Sequence, residues 1–215
     1  MDLRKITGIF VCTLLLGVSS FAMAGIPELG NCEAAFPNYS GAEVALFNLP
    51  NGGGSPFTTA QVIGTSDIVD ASIIVTLRDG NDAVIPNFPA EDVWLESVDG
   101  GMVPCLGGAT ADLDTDADGE TQFVNAMSAG GYSMANCTVM VSGDAITGGA
   151  NSGVFALRFN SADINGDGIV NLSDISDFSS VFYGAYDFSA DFFADGVVNL
   201  SDVQKLAAGN GAACP

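Results

Sequence analysis

The sequence predicts a mainly β protein: an antiparallel β-sandwich over residues 25–159, followed by a small α-helical domain over residues 160–215. Two observations lead to this fold class. Short β-branched or alternating runs fill the first region, with turn-forming Gly, Asn and Asp between them and no helical stretch separating them. After residue 159 the pattern changes to loop, amphipathic helix, loop, amphipathic helix.

Six runs are predicted to be strands of the sandwich. They are EVALF (43–47), ASIIVTL (71–77), DVWLES (92–97), TQFVN (121–125), TVMVS (138–142) and VFALRF (154–159). Turn sequences such as LPNGGGSP, RDGND and SAGG separate them, so the strands are expected to meet in antiparallel hairpins. The two helices are expected near residues 171–182 and 199–209, which places the domain boundary close to Asn160.

Residues 1–24 are expected to be a secretory signal peptide. They begin with a short charged stretch that carries Arg4 and Lys5, continue as an apolar run over 6–18 and end in the small-residue sequence Ala22-Met23-Ala24 before Gly25. The apolar run is shorter than the ~20 residues that a membrane-spanning helix needs. The protein is therefore expected to be secreted, extracellular or associated with the cell surface, without insertion into the membrane.

The charge balance excludes one class of partner. The chain has 26 acidic residues against five basic ones, a formal net charge of −21. Such a chain repels nucleic acid and anionic membranes, so no nucleic-acid partner is expected. Its hydrophobic content of 48% is too high for a disordered chain, which favours a folded protein of one or two small domains.

Four cysteines remain once Cys12 is removed with the signal peptide: Cys32, Cys105, Cys137 and Cys214. An even number in an exported protein predicts two disulfides, with three possible connectivities. Cys105 and Cys137 bracket one compact segment and are expected to pair, which leaves Cys32 with Cys214. Zinc is the rival interpretation, but the chain has neither a C-x-x-C spacing nor a His.

Residues 163–174, DINGDGIVNLSD, have the spacing of a calcium-binding loop, here called the first loop. Such a loop needs oxygen ligands at positions 1, 3 and 5, Gly at 6, a backbone carbonyl at 7, a ligand or water at 9 and a carboxylate at 12. The corresponding residues are Asp163, Asn165, Asp167, Gly168, Ile169, Asn171 and Asp174, with Val170 at position 8 expected in the core. The alternative is an Asx-rich turn that caps a helix at Ser173, but it does not account for the alternating acids.

Residues 191–202, DFFADGVVNLSD, repeat the pattern and are here called the second loop. The predicted ligands are Asp191, Asp195, Val197, Asn199 and Asp202. Phe193 stands at position 3, where an oxygen ligand is expected, so this loop either binds calcium more weakly or persists without an ion. An ion bound only in the folded form would stabilise so small a segment by ~2.7 kcal/mol at 100 times its dissociation constant.

A third acidic stretch, with Asp114, Asp116, Asp118 and Glu120, also spells D-x-D-x-D-G and is a weaker candidate for calcium. A strand follows it and Asn125 occupies its position 12. An exposed hairpin turn is therefore the preferred interpretation.

The paired loops and their helices, over about residues 161–208, resemble a dockerin, the calcium-loop module that binds cohesin domains. The resemblance implies Asp at position 12 of each loop, as found here, and no helix before either loop. It also implies that loop positions 10 and 11, here Leu172-Ser173 and Leu200-Ser201, contact a cohesin-like protein. The basic pair common in the family's helices is missing, with only Lys205 present.

The N-terminal region resembles, less closely, a bacterial immunoglobulin-like domain of the invasin type, through ASIIVTLRDGNDAVIPNFPAEDVWLES and TDADGETQF. Together the resemblances imply a non-catalytic calcium-binding protein attached to an extracellular assembly through a cohesin-like partner. The alternatives are a surface subunit that assembles with copies of itself and a small polysaccharide-binding or polysaccharide-degrading component. An enzyme is not expected, because the acids lie mostly in loop or turn sequences, Trp94 is the sole tryptophan and no His is present.

Overall fold

The computed structural model describes residues 25–215, and the predicted signal peptide lies outside the described residues. Within that range the protein is mainly β, as predicted. The strands are β1 (Glu33–Ala35), β2 (Val44–Asn48), β3 (Ala60–Val62), β4 (Ile68–Val69), β5 (Ile73–Thr76), β6 (Val93–Ser97), β7 (Met102–Pro104), β8 (Glu120–Phe123), β9 (Ala129–Gly131), β10 (Cys137–Val141), β11 (Asp144–Ala145), β12 (Val154–Phe155) and β13 (Leu157–Ser161). The helices are α1 (Leu172–Phe182) and α2 (Leu200–Gly209).

All six runs predicted as strands contain strands, and the last of them divides into β12 and β13. The strands form several small sheets. β5 lies between β1 and β8, β10 pairs with β6, β11 and β12, and β7 pairs with β9. The fourth sheet has the order β13-β2-β3-β4 and carries the C-terminal segment.

The expectation of antiparallel pairing throughout is wrong for one pair, β2 and β13. These strands run parallel, with Leu157 opposite Val44 and Ser161 opposite Asn48. A parallel pair needs a long connection. Here almost the whole β region lies between the two strands, so no local turn signal could have indicated the pairing.

Strand β2 is buried on both faces, which explains its continuous apolar sequence. Val44 and Leu46 belong to the main core of the β region. Ala45 and Phe47, which alternate with them, belong to separate clusters with residues of the C-terminal segment. The sheet therefore has the β core on one side and the loop–helix pair on the other.

The C-terminal segment packs on this sheet through a cluster of its own. Phe47 contributes to it from β2, while Phe178 comes from α1 and Leu206 from α2. Val170, at position 8 of the first loop, is buried there as predicted. The Phe192 ring lies 5.2 Å from that of Phe47 and 5.7 Å from that of Phe178.

The predicted disulfide pairing is wrong. Cys105 bonds to Cys214, with the Cα atoms 5.5 Å apart, and Cys32 and Cys137 are buried free thiols. Cys137 begins the central strand β10 inside the core, whereas Cys105 follows β7, where the C-terminal tail reaches it. Burial raises the pKa of both free thiols, as expected for inert core cysteines.

The two helices occupy the segments predicted for them, and each begins one residue later than expected. Neither helix, nor any other in residues 25–215, has the length and apolar character needed to cross a membrane.

Candidate metal centre

Both loops end in the first turn of a helix, and the same side chains serve loop and helix. Asn171 is the N-cap of α1 and accepts a hydrogen bond from the Ser173 amide at 2.8 Å. Asp174 accepts one in return from the Asn171 amide at 2.9 Å, which completes a capping box. The second copy repeats these bonds with Asn199, Ser201 and Asp202. The cap considered as an alternative is thus present, and it coexists with the loop geometry.

Backbone amides turn inward around the carboxylates of the first loop. The two oxygens of Asp163 accept from the amides of Asp167 at 3.1 Å and Gly168 at 2.8 Å. Asp174 accepts from the Asn165 amide at 3.3 Å as well as from Asn171. Gly168 has φ +87°, a conformation that favours glycine and allows the sharp turn at position 6.

Negative charge is concentrated and buried in the first loop. The side chains of Asp163 and Asp174 are both fully buried, whereas Asp167 is exposed. Burial and the charges of Asp174 and Asp167 raise the pKa of Asp163, opposed by the hydrogen bonds from Gly168 and Asp167. Among the described residues, no basic side chain forms a salt bridge with this loop.

The second loop has the same backbone arrangement. Asp191 accepts from the amides of Asp195 at 3.2 Å and Gly196 at 2.8 Å. Asp202 accepts from the Phe193 amide at 3.3 Å and the Asn199 amide at 2.9 Å, as Asp174 does at the matching positions. Burial, followed by the charge of Asp191, raises the pKa of Asp202 against the effect of its amide hydrogen bonds.

Side chains distinguish the second loop from the first. The Tyr186 hydroxyl donates to Asp191 at 2.9 Å. The Lys205 ammonium, on α2, donates to the Phe192 carbonyl at 2.7 Å. The same ammonium lies 4.0 Å from the centre of the Phe193 ring. The sequence motif indicates the missing ligand at Phe193 but none of these three contacts.

The β region supports the first loop directly. The Gly131 amide of β9 donates to the Asp163 carbonyl at 2.7 Å, and the Ser161 hydroxyl accepts from the Asp163 amide at 3.1 Å. A Cβ atom on Gly130 would lie 2.0 Å from a carboxylate oxygen of Asp163. Gly130 is therefore a residue of the site that sequence reasoning missed, because it lies 33 residues before Asp163 in the chain.

The C-terminal tail completes the surroundings of the first loop. The Val170 amide donates to Ala212 at 2.8 Å, and the Cys214 amide donates to the Gly168 carbonyl at 2.9 Å. Because Cys214 is bonded to Cys105, the disulfide holds this tail against the loop.

Leu172 and Leu200 occupy the first positions of the two helices and face solvent. Their exposed fractions are 80% and 71%. Ser173 and Ser201, which follow them, are exposed as well. None of these four side chains is used to pack the segment onto the sheet.

The third acidic stretch forms an exposed turn, the interpretation preferred from the sequence. Asp116 accepts from the amides of Asp118 and Glu120 at 2.9 Å and 3.0 Å, and the Asp116 amide bonds back to Glu120. Asp114 accepts instead from the Ala90 amide at 2.9 Å. The Asp116 carboxylate is thus used in local turn bonds, and that of Asp114 in a bond to the loop before β6.

Within residues 25–215, no group of three or more Asp, Glu, Cys or His side chains converges closely enough to hold a metal ion. A calcium loop draws in addition on amide oxygens and a backbone carbonyl, here Asn165, Asn171 and the carbonyl of Ile169, so it needs fewer converging carboxylates. No family model, curated protein or solved structure matches the chain.

Proposed function

We propose that the protein is a secreted, non-catalytic calcium-binding protein that attaches to an extracellular or cell-surface assembly through its C-terminal loop–helix pair. In this proposal residues 160–215 act as a dockerin-like module and residues 25–159 are an immunoglobulin-like sandwich that the module carries. The observation that carries the proposal is the exposure of Leu172 and Leu200, at identical positions in the two copies.

The donor set of the first loop fits calcium. Calcium prefers carboxylate, amide and carbonyl oxygens in a flexible arrangement, and this loop offers such oxygens at the alternate positions that a calcium loop uses. The residues that would hold the ion are Asp163, Asn165, Asp167, Ile169 through its carbonyl, Asn171 and Asp174. Buried carboxylates without a basic partner are costly, and a divalent cation offsets that cost.

The exposed leucines support attachment to a partner. A large apolar side chain next to a hydroxyl, presented twice on helix starts, has the composition of an interface rather than of a solvated helix end. Most of the apolar side chains of the segment are turned to the sheet, as Phe178 and Leu206 are. The partner expected is a cohesin-like protein, which would meet Leu172-Ser173 or Leu200-Ser201.

A second candidate is a structural or adhesive subunit that assembles with copies of itself. The packing of Phe178 and Leu206 against Phe47 favours it, as does the Cys105–Cys214 bond, because both join the module firmly to the β region. A firmly joined module suits a building block at least as well as a tethered carrier.

Calcium removal tests the first half of the proposal. Chelation should lower the melting temperature of the secreted protein, with a loss of ~2.7 kcal/mol relative to calcium at 100 times its dissociation constant. Asp163→Ala should remove most of that response. A melting curve that is the same in excess calcium and excess chelator would contradict calcium binding.

Charged substitutions at the two leucine–serine pairs test the second half. Leu172→Glu with Ser173→Asp should leave substantial partner capture, because the second copy remains, whereas the same changes at both pairs should abolish it. Leu113→Glu is the matched control, since Leu113 is 65% exposed on the β region.

The capture is made from the secreted fraction of the source organism, with calcium and then with chelator. A cohesin-like partner lost in the double variant supports the carrier function. Recovery of the protein alone, with calcium-dependent self-association in sedimentation, supports the subunit function. Unchanged capture by the double variant would rule out this surface as the attachment site.

A further inference from the structure

We infer that the second loop binds no calcium, because Lys205 offsets its negative charge and Tyr186 bonds to its Asp191 carboxylate. The protein then binds one calcium ion, in the first loop. The inference rests on the proposed calcium function and assigns it to one of the two copies. It follows from three residues of the second copy that the first copy lacks.

Phe193 is the first of these residues. At position 3 the first loop has Asn165, whose side-chain oxygen accepts from the Asp167 amide at 2.9 Å and whose backbone amide donates to Asp174 at 3.3 Å. A phenyl ring supplies no oxygen, so the second loop starts with one ligand fewer. The ring is not merely a neutral replacement, because its face lies against the Lys205 ammonium at 4.0 Å. A ring face attracts a cation, and the substitution therefore exchanges a calcium ligand for a partner of Lys205.

Lys205 supplies positive charge from α2. Its ammonium is held by the Phe192 carbonyl, at position 2 of the loop, and by the ring of Phe47, 4.6 Å away on the sheet. It makes no direct ion pair with a carboxylate of residues 25–215. The charges of Asp202 and Asp191 nevertheless act on it, and they oppose the burial that lowers the pKa of Lys205 to about 8. Its ammonium form therefore predominates at neutral pH.

Tyr186 occupies an oxygen that a metal ion would need. Its hydroxyl donates to Asp191 at 2.9 Å, on the same carboxylate oxygen that accepts from Gly196. Asp163, the matching residue of the first loop, accepts from the backbone amides of Asp167 and Gly168. The position in the first copy that corresponds to Tyr186 is Arg158, which bonds instead to Asn136 and Glu43.

The residue of the first copy that corresponds to Lys205 also favours calcium at the first loop. Lys205 lies three residues after Asp202, and the residue three after Asp174 is Asp177. The first copy therefore carries a further acid where the second copy carries its base. Each loop has three acidic ligand positions, so calcium is favoured electrostatically at the first loop and opposed by a resident ammonium at the second.

Calcium titration of the full secreted chain tests this inference, with the calcium ion itself as the probe and calorimetric stoichiometry as the readout. Asp167→Asn and Asp195→Asn are matched variants, because they change position 5 of the first and second loops. The wild type should bind one ion, Asp195→Asn should still bind one with its affinity unchanged within about twofold, and Asp167→Asn should lose at least about tenfold in affinity.

A second variant tests whether calcium binding can be restored at the second loop. Tyr186→Phe, Phe193→Asn and Lys205→Met together restore the missing ligand, free the Asp191 oxygen and remove the ammonium while keeping most of the apolar stem of the lysine. This variant should bind two ions if it keeps the wild-type circular dichroism spectrum.

The outcomes are distinguishable. Two ions bound by the wild type, or a loss of binding in Asp195→Asn equal to that in Asp167→Asn, overturns the inference and leaves the calcium function standing. A wild type that binds no calcium overturns the proposed calcium function and the inference with it. The single variants give this decision even where the triple variant fails to fold.

Discussion

The first and second loops have nearly the same backbone and opposite ways of balancing their charge. In both, the position 1 Asp accepts from the amides at positions 5 and 6, and the position 12 Asp accepts from those at 3 and 9. The second loop has Tyr186 and Lys205 lying against it in addition to these backbone amides, whereas no basic side chain of the described residues forms a salt bridge with the first loop. The comparison teaches that the repeated motif determines the backbone of a loop, whereas the side chains that lie against it come from outside the motif; in our proposal, these side chains determine which loop binds an ion.

The largest effect on stability is expected from removing the disulfide that holds the C-terminal tail. The Cys105–Cys214 bond spans 109 residues, and cross-linking a loop of that size stabilises a protein by ~4 kcal/mol. Cys214→Ser should lose stability of that order. It should also weaken calcium binding, because the tail pairs with Gly168 and Val170 of the first loop.

Chemical denaturation and calcium titration, each with and without a reducing agent, measure both quantities. Wild type under reducing conditions should resemble Cys214→Ser, and the variant itself should not respond to the reducing agent. A calcium affinity that is equal in oxidised and reduced wild type would show that the tail does not distinguish the first loop from the second.

A smaller effect is expected from Gly130→Ala, which acts on the first loop from the β region. The added methyl would press on the Asp163 carboxylate, and overpacking of this kind costs roughly 1–3 kcal/mol. Calcium affinity should fall together with stability, because Asp163 is the proposed ligand at position 1. Gly80→Ala is the control, since a Cβ there meets nothing within 4 Å.

Paired thermal melts in calcium and in chelator separate the two consequences of Gly130→Ala. The calcium-dependent gain in melting temperature should shrink in Gly130→Ala and stay unchanged in Gly80→Ala. If Gly130→Ala destabilises both forms equally, β9 supports the fold but not the ion site.

The smallest effect is expected from pH. An Asp whose pKa is raised in the folded state contributes stability below its unfolded pKa and loses that contribution as pH rises through the folded pKa. Burial and the neighbouring Asp174 and Asp167 raise the pKa of Asp163 above 3.8, so in calcium-free protein its ionised form opposes folding at neutral pH. Calcium should offset this, and its stabilising effect should decline on acidification toward that value as protons compete for the carboxylate.

Melting temperatures with and without calcium, measured from neutral pH down to 3.8, test whether the stabilising effect of calcium declines on acidification. Asp163→Asn should flatten the profile, whereas Asp195→Asn should preserve it. A calcium effect that grows on acidification would contradict the assignment of Asp163 as a ligand.

Much of the local structure could be predicted from the sequence. Alternation and turn residues identified six strands, and the apolar period identified α1 and α2 to within a residue of their starts. These features depend on near neighbours in the chain, so short windows contain the information. The burial of Val170 was predictable for the same reason, since position 8 of the loop points away from the oxygen ligands.

Long-range pairing could not be predicted in this way. The parallel contact of β2 with β13 and the bond between Cys105 and Cys214 each join residues more than 100 positions apart. Spacing along the chain favoured a disulfide between Cys105 and Cys137. Cys137 is instead a free thiol buried in the core on β10. The close approach of Gly130 to Asp163, 33 positions apart, could not be predicted either, because it exists only once β9 lies beside the first loop.

The sequence by itself determined the two acidic loops, the helices that follow them and the matching leucine–serine pairs at the helix starts. Only the tertiary structure decided which groups lie beside each loop. The C-terminal tail and β9 lie beside the first loop, and Tyr186 and Lys205 lie beside the second. The physical reason is that ligand spacing is a property of the local chain, whereas the electrostatic environment of a carboxylate is set by whichever groups folding brings near it.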